Sequence, residues 1–407
     1  MPTPRYPERV PPGVPLAMVY DFNKDTDPDF VRDPWAVLDK VRREAPPLFF
    51  STDHPDTDKG AWYVGNEAIM REMLQNPAVF TTSEGVSVGL APWPRKIIPL
   101  EVDPPDHLKF RAILGPIFSP RTIDKWDARV REVTGALIDQ VKATGGCDFL
   151  HAVAKPLPST ILVELMGLPL DRREEFVAWV EEMFHGDAPE SRRAAGVRSM
   201  EYLKTVIAER YQNPGDDAVS IVCRAQVDGA PIALEHVEDI VMFIFQAGLD
   251  TVTAGLGHVF HYLATHPDKQ RELIADPSLI PNAVEEILRA FPWIGLTRKV
   301  RQPIEFHGAS LKVGDVVHTI PYGAGRDPNV HDDPDRVDFQ RADVPHFTFG
   351  GGVHRCAGSH LARRELRIAV EQWLKRIGEF SLKPGAEIRF MPAGMFQLEA
   401  LPLVWAV

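Results

Sequence analysis

The chain has 407 residues, of which 44% are hydrophobic and 25% are charged, as in ordinary globular proteins. Lys and Arg total 45 against 57 Asp and Glu, and the resulting net charge of −12 argues against a nucleic-acid-binding protein. The three cysteines, Cys147, Cys223 and Cys356, are too few and too scattered for a disulfide framework or a four-thiolate zinc site. We therefore expect a reducing, cytoplasmic environment, and the composition leaves open whether one thiol has a chemical role.

The N-terminal segment carries prolines where a secretory signal peptide needs an uninterrupted apolar core. The longest uninterrupted apolar run, residues 240–245, is far shorter than a transmembrane helix. We therefore expect a soluble protein that does not bind a membrane.

Proline and glycine residues separate many segments with helical periodicity and a few short strand-like segments. The spacing of apolar residues predicts helices over 122–142, 171–184, 198–211 and 357–377. Strand-like patterns cover 62–64, 304–306, 316–320 and 398–405. There is no internal repeat and no linker, so the predicted fold is mostly α with minor β, in a single domain over residues 1–407.

A long apolar segment, 234–265, contains no proline and is closed by Pro267. As one helix it would span about 48 Å and run through the core. Asp250 and Thr251 lie in its middle, where burial is costly unless both side chains are hydrogen-bonded. Gly248 weakens the helix there, and a Thr hydroxyl can bond to a carbonyl one turn earlier and bend it. Two interpretations remain open: a buried functional acid, or a break between two helices with Asp250 as N-cap.

The segment 347–358 contains three consecutive glycines, which allow positive φ and close approach of the backbone to a flat group. Cys356 comes directly before the predicted helix 357–377, whose N-terminal dipole favours a thiolate. A thiolate there is a nucleophile or a metal ligand, although a buried apolar cysteine fits the same pattern. A Cys–His hydrolase is disfavoured because His354 is only two residues away and no triad is evident.

These motifs resemble those of the cytochrome P450 haem monooxygenases. The cysteine signature of that family is matched by Phe349, Gly350, Gly352, His354, Cys356 and Gly358. The Ala/Gly-Gly-x-Asp-Thr segment of its central helix is matched by Ala247, Gly248, Asp250 and Thr251. Its Glu-x-x-Arg element is matched by Glu286 and Arg289, with Arg336 as the expected third partner. Stretches shared with the soluble bacterial camphor-hydroxylating group lie at 102–112, 247–252, 360–365 and 400–405.

The resemblance implies a P450 fold closed around a buried haem b, with Cys356 as the axial thiolate ligand of its iron. It assigns binding of the haem propionates to His107, Arg111, Arg298 and His354. Further haem contacts fall on Phe349, Gly350 and Gly358. Asp250 and Thr251 take the positions of a proton relay for O–O cleavage, and Glu286, Arg289 and Arg336 those of a buried structural network.

The resemblance also implies an apolar pocket for a small hydrophobic substrate, in which Gln246 is the polar exception. The corresponding positions are Val86, Ile97, Leu100, Phe243, Gln246, Ala247, Ile294, Leu296, Met395 and Phe396. Arg95 replaces the tyrosine that camphor recognition needs, so camphor itself is not expected. A terpenoid or norisoprenoid is favoured by similarity alone, and a small aromatic or fatty substrate is the alternative.

Turnover would require dioxygen and an external electron donor, because the chain carries no flavin or iron–sulfur motif. A [2Fe–2S] ferredoxin with its reductase is the expected donor, docking on Lys109, Arg355, Arg363 and Arg364. A haem-binding sensor that never turns over is the remaining alternative, although it would have little need for Asp250 and Thr251.

Overall fold

A computed structural model describes residues 4–54, 59–83, 95–391 and 395–407. Helices dominate this part of the chain. In chain order they are α1 (Pro34–Glu44), α2 (Glu67–Gln75), α3 (Asp106–Phe118), α4 (Pro120–Asp124), α5 (Asp127–Val141), α6 (Pro156–Leu165), α7 (Arg173–His185), α8 (Pro189–Gln212), α9 (Ala218–Cys223), α10 (Leu234–Leu249), α11 (Thr251–Thr265), α12 (Pro267–Ala275), α13 (Ile280–Ala290), α14 (Pro321–Ala324) and α15 (Ser359–Arg376).

The strands are short and form small sheets. In chain order they are β1 (Leu48–Ser51), β2 (Ala61–Val64), β3 (Phe80–Thr81), β4 (Gly146–Asp148), β5 (Gln226–Val227), β6 (Ala230–Pro231), β7 (Thr297–Val300), β8 (Ile304–Phe306), β9 (Ala309–Leu311), β10 (Val316–Thr319), β11 (Phe380–Leu382), β12 (Phe390–Met391), β13 (Gln397–Leu398) and β14 (Pro402–Trp405).

The chain folds as two compact units made of interleaved segments. The first unit comprises Met1–Val88, Glu285–Cys356 and Ile388–Glu399, and the second comprises Gly89–Val284, Ala357–Glu387 and Ala400–Val407. The organisation as one domain therefore stays a prediction.

The first unit is built on a five-stranded sheet of order β1-β2-β10-β7-β3, in which only β2 and β10 run parallel. Trp62, Phe80 and Val317 are buried on this sheet and pack with Leu74 of α2. Phe347, at the start of the glycine-rich segment, belongs to the same hydrophobic cluster. Burial of Phe347 therefore anchors the segment that leads to Cys356.

The second unit is built around α10 and α11. An aromatic cluster joins α11 to α15 and to the sheet β11-β14-β4. Phe149 stacks on Phe260 with ring centroids 3.9 Å apart, and Phe260 meets Trp373 edge-on at 5.5 Å. Large rings bury much apolar area and prefer such geometries, so this cluster fixes α15 against α11.

Most of the predicted elements are present, with shifted ends. The segment 122–142 forms two helices, α4 and α5, and the predicted helix 198–211 is the C-terminal part of α8, which starts at Pro189. The predicted strand 398–405 is divided between β13 and β14.

The stretch Leu234–Thr265 is, by length and composition alone, apolar enough to cross a membrane. The uninterrupted apolar run 240–245 is therefore only part of a longer apolar helical stretch. However, 72% of the most apolar 18-residue segment of this stretch is buried inside the folded chain, as in the core helix of a soluble protein.

Candidate active site

The cysteine segment follows a path that only glycine permits at two points. Gly350 and Gly352 have φ of 70° and 63°, in the left-handed region. A side chain at position 352 would clash with the carbonyl oxygen of Leu74. The backbone N–H of Cys356 donates to the carbonyl of Phe349 at 2.8 Å. These constraints hold Cys356 three residues ahead of α15, with the residue exposed.

The thiols of Cys147 and Cys223 are protonated and therefore unreactive at neutral pH. Burial, and next the charge of Asp148, raises the pKa of Cys147 to about 12. Burial, and next Asp217, raises the pKa of Cys223 to about 11. Both therefore stay protonated at neutral pH, which leaves Cys356 as the thiol suited to metal ligation.

The core helix is broken at Asp250, which lies between α10 and α11 with φ −120° and ψ −34°. The hydroxyl of Thr251 donates to the carbonyl of Ala247 at 3.0 Å, the bond that bends such a helix. The Asp250 side chain makes no capping bond. Instead, its Oδ2 lies 3.0 Å from Nε2 of His185, the last residue of α7. Of the two interpretations left open, the break is confirmed, with Asp250 at the N-cap position of α11 but without a capping bond from its side chain. A functional role for the acid stays a prediction.

Two further side chains explain why the break forms where it does. A Cβ at position 248 would lie 2.9 Å from Cδ1 of Leu162, so α6 packs against α10 at a point where only glycine fits without adjustment. Asp250 itself is buried, with 5% of its surface exposed, whereas the His185 side chain is 19% exposed. Sequence reasoning missed His185, because its contact spans 65 positions and carries no local signal.

The expected propionate ligands occur in both units and are described separately. In the first unit Arg298 is buried and donates to the carbonyl of Thr297 at 2.7 Å. Nε2 of His354 lies 3.2 Å from the hydroxyl of Thr82.

In the second unit His107 and Arg111 lie four residues apart on α3. Burial, and next the charge of Arg111, lowers the pKa of His107, so its imidazole is neutral at pH 7. A neutral imidazole beside a guanidinium suits a hydrogen-bond acceptor with negative charge.

A buried ion network in the first unit contains Glu286 and Arg289, both fully buried. The guanidinium of Arg289 pairs with both oxygens of Glu286, at 2.7 and 2.8 Å. Although burial alone would raise it, the pKa of Glu286 is lowered by hydrogen bonds from Arg289 and from the N–H of Asp338.

The predicted third partner of this network is corrected by the structure. Arg336 contributes only its carbonyl, which accepts from Arg289 at 3.2 Å, and its side chain is 64% exposed. Arg341 supplies the third side chain, with Nε 3.1 Å from Glu286. The Arg336 guanidinium instead points to the surface, 3.9 Å from the carboxylate of Asp338, while Arg341 occupies the place beside Glu286.

The sequence profile described as cytochrome P450 matches residues 188–403. The chain belongs to the cytochrome P450 family. It is 34% identical to the probable cytochrome P450 127A1 of Sinorhizobium fredii over 98% of this chain and 97% of the relative. It is also 34% identical to the erythromycin C-12 hydroxylase of Saccharopolyspora erythraea, over 79% of this chain and 83% of that protein.

Among solved structures, that of the cytochrome P450 CYP101C1 matches with a TM-score of 0.87 and 28% identity, covering 98% of this chain and 100% of the other. The P450 fold and the mostly helical class are therefore confirmed. Members of the camphor-type group appear among the structural neighbours, whereas the sequence relatives belong to other P450 groups. The cofactor of this P450 family is haem b.

The residues described above fit this cofactor. The exposed thiol of Cys356 offers the soft anionic ligand that iron needs in this family. The glycines before it leave the backbone bare of side chains, and Arg298 and Arg111 offer cations for carboxylates.

The pocket residues expected in this P450 divide between the units. In the first unit Ile294 forms an isolated bridge with Met395, and Leu296 lies against Gly350. The Phe396 ring packs on Phe30, with centroids 5.3 Å apart, and so belongs to the core of that unit.

In the second unit Ile97 and Gln246 are buried, and Leu100, Phe243 and Ala247 are half-buried. Val86 lies outside the described residues. The guanidinium of Arg95 contacts the carboxylates of Glu238 and Asp239, at 2.8 and 2.9 Å. Its charge is therefore already balanced within the chain.

Two of the four expected docking cations of this P450 already have carboxylate partners. Lys109 lies 3.1 Å from Asp106 and 2.7 Å from Asp228. Arg364 pairs with two aspartates, Asp124 and Asp127. Arg355 is exposed and Arg363 is half-buried. Pairing weakens the attraction of the first two for an acidic partner.

Proposed function

We propose that this P450 is a haem-thiolate monooxygenase that hydroxylates a small hydrophobic substrate with dioxygen and two electrons from a [2Fe–2S] ferredoxin. The observation that carries the proposal is the break in the core helix, where Asp250 and Thr251 hold polar groups inside an apolar segment. A haem-binding sensor would gain nothing from such a costly arrangement, whereas an enzyme that delivers protons would.

When bound, the haem supplies activation of dioxygen at its iron. Cys356 would hold the iron through its thiolate, and the N–H groups ahead of α15 would favour the anion. Phe349, Gly350 and Gly358 would flank the cofactor.

Each unit offers one arginine and one histidine that could bind a propionate. Arg111 and Arg298 would form charge-assisted hydrogen bonds with the carboxylates, and His107 and His354 would add single hydrogen bonds. Because burial keeps His107 neutral, its role is that of a hydrogen-bond donor rather than a cation.

Asp250, Thr251 and His185 would supply protons. His185 is partly exposed and contacts the buried Asp250 carboxylate, so a proton taken from solvent has a short path into the core. Asp250 would pass it on towards the hydroxyl of Thr251. That hydroxyl donates to the carbonyl of Ala247, which leaves its lone pairs to accept.

For the substrate, a terpenoid or norisoprenoid is favoured by the likeness to camphor-type structures, and an aromatic or fatty molecule is the alternative. Within the second unit, the side chains of Ile97 and Phe243 support an apolar molecule. A panel of such compounds should be screened for the spin-state change in the haem spectrum. We further propose that the enzyme is soluble and cytoplasmic.

For the electron donor, Arg355 is the docking residue to test first, because it is exposed and adjacent to Cys356. Arg355→Ala should slow reduction by a ferredoxin and leave the substrate-induced spectral shift unchanged. Lys109→Ala is the matched control, since Lys109 is already paired with two aspartates. Equal reduction rates in the wild type and Arg355→Ala would contradict this docking role.

The decisive experiment is the absorption spectrum of the reduced, carbon monoxide-bound enzyme. Thiolate ligation predicts a strongly red-shifted Soret band, and Cys356→His should abolish it while Cys147→Ser and Cys223→Ser keep it. Product formation with a ferredoxin and its reductase then separates an enzyme from a sensor. A normal Soret position in the wild type would overturn the proposal.

A further inference from the structure

Gln246 is a buried amide of α10 that uses only part of its hydrogen-bonding capacity. The residue is 4% exposed. Its Nε2 lies 3.5 Å from Sδ of Met183 on α7, a weak acceptor. Its Oε1 is buried and has no hydrogen-bond partner among the residues that the structure describes. An unsatisfied buried oxygen lowers the free energy of unfolding, so its presence needs a reason.

A second buried glutamine in the same unit shows what a structural amide looks like. Gln270 is fully buried, and its Nε2 donates to the carbonyls of Leu263 and Phe380, at 2.6 and 2.8 Å. Its Oε1 accepts from the N–H of Phe380 at 2.9 Å. Gln270 therefore joins α12 to β11, whereas Gln246 joins nothing through its oxygen.

The position of Gln246 links it to the proposed proton path. It lies in the last turn of α10, four residues before Asp250 at the break. Both contact the end of α7, Gln246 at Met183 and Asp250 at His185. The neighbours of Gln246 along α10 are apolar, including Ile244 and Phe245. The unsatisfied oxygen thus belongs to a side chain one helical turn before the polar break, in an apolar stretch of sequence.

We infer that Gln246 determines specificity by accepting a hydrogen bond from a hydroxyl group of the substrate. This inference rests on the proposed monooxygenase function and narrows the substrate class to small, mostly apolar alcohols. A hydrocarbon would leave the oxygen unsatisfied in the complex, and a ketone has no proton to donate.

The binding test compares matched skeletons on the haem-loaded enzyme, without turnover. Dissociation constants for menthol, menthone and p-menthane are measured by calorimetry for the wild type and for Gln246→Met, which is nearly isosteric. The preference for menthol over p-menthane should fall about three- to tenfold in the variant, the range for one neutral hydrogen bond. The inference would be overturned if the variant kept the preference of the wild type for menthol over p-menthane. It would also be overturned if the wild type preferred menthone over p-menthane as strongly as it prefers menthol.

Thermal unfolding gives an independent readout that needs no ligand. Gln246→Met removes an unsatisfied oxygen and should raise the Tm by about 1–2 °C, whereas Gln270→Met breaks three satisfied bonds and should lower it. A lowered Tm in Gln246→Met would show a structural amide and overturn the inference, even if none of the three compounds binds. Failure of the proposed function is seen separately, as an unshifted Soret band in the wild type.

Discussion

His185 at the end of α7 contacts Asp250 at the break of the core helix, with Nε2 and Oδ2 3.0 Å apart. Removing the imidazole would leave a carboxylate that is 5% exposed without this contact. His185→Ala should therefore lower the free energy of unfolding by about 1–3 kcal/mol.

Combining His185→Ala with Asp250→Asn should recover part of that loss, because the amide carries no charge to bury. Denaturant unfolding of the four proteins in this cycle measures the coupling. His151→Ala is the control, since His151 is 62% exposed in its pair with Asp148 and should change stability little. If the losses in the free energy of unfolding caused by the two single changes simply add, the contact between His185 and Asp250 does not contribute to stability.

Thr251 is expected to couple dioxygen use to product formation. Thr251→Ala removes the hydroxyl that bonds to Ala247, and with it the proposed proton donor. More hydrogen peroxide should therefore be released per dioxygen consumed. Thr251→Ser retains the hydroxyl and should restore coupling. Hydrogen peroxide release and dioxygen consumption are measured during turnover of a compound that changes the spin state of the haem. Normal coupling in Thr251→Ala would refute a role of Thr251 in proton delivery.

Arg341 and Arg336 provide a direct comparison within one network. Arg341→Ala withdraws a hydrogen bond from the fully buried Glu286 and should cost about 1–3 kcal/mol of stability. Arg336→Ala removes an exposed guanidinium and should cost less than about 0.5 kcal/mol. Denaturant unfolding of both variants tests this order, and the reverse order would restore the assignment made from the sequence.

Glu365 on α15 should make stability depend on pH. Burial raises its pKa to about 8, so the folded chain keeps a proton that the unfolded chain loses above its ordinary pKa. The stabilisation is therefore complete below the unfolded pKa and is lost as the pH rises towards 8, at up to about 1.4 kcal/mol per pH unit.

Glu365→Gln cannot titrate, so its stability relative to the wild type should increase between roughly pH 5 and 8. Unfolding free energies measured across that range give the slope. Glu174→Gln, at a side chain 91% exposed, should run parallel to the wild type. Parallel curves for Glu365→Gln as well would show that the carboxyl is ionised in the fold.

The parts of the site that are local in sequence could be predicted, and the parts that depend on distant contacts could not. The glycines before Cys356 and the Thr251 bond to the preceding turn follow from short-range backbone chemistry, and the structure contains both. His185 could not be found this way, because no pattern near residue 185 indicates a partner at residue 250. Arg341 was missed for a similar reason, since two arginines five residues apart offer the same charge and only the chain path decides which one turns inward.

Gly248 packs closely against Leu162, so the substitutions tolerated at position 248 depend on the residue at position 162. Because a methyl group at 248 would press on the end of the Leu162 side chain, a larger residue there requires that side chain to turn away or to be shortened. Directed libraries that vary the centre of α10 should therefore randomise 162 and 248 as a pair. Screens that change position 248 alone would overlook larger residues that fit when position 162 changes with it.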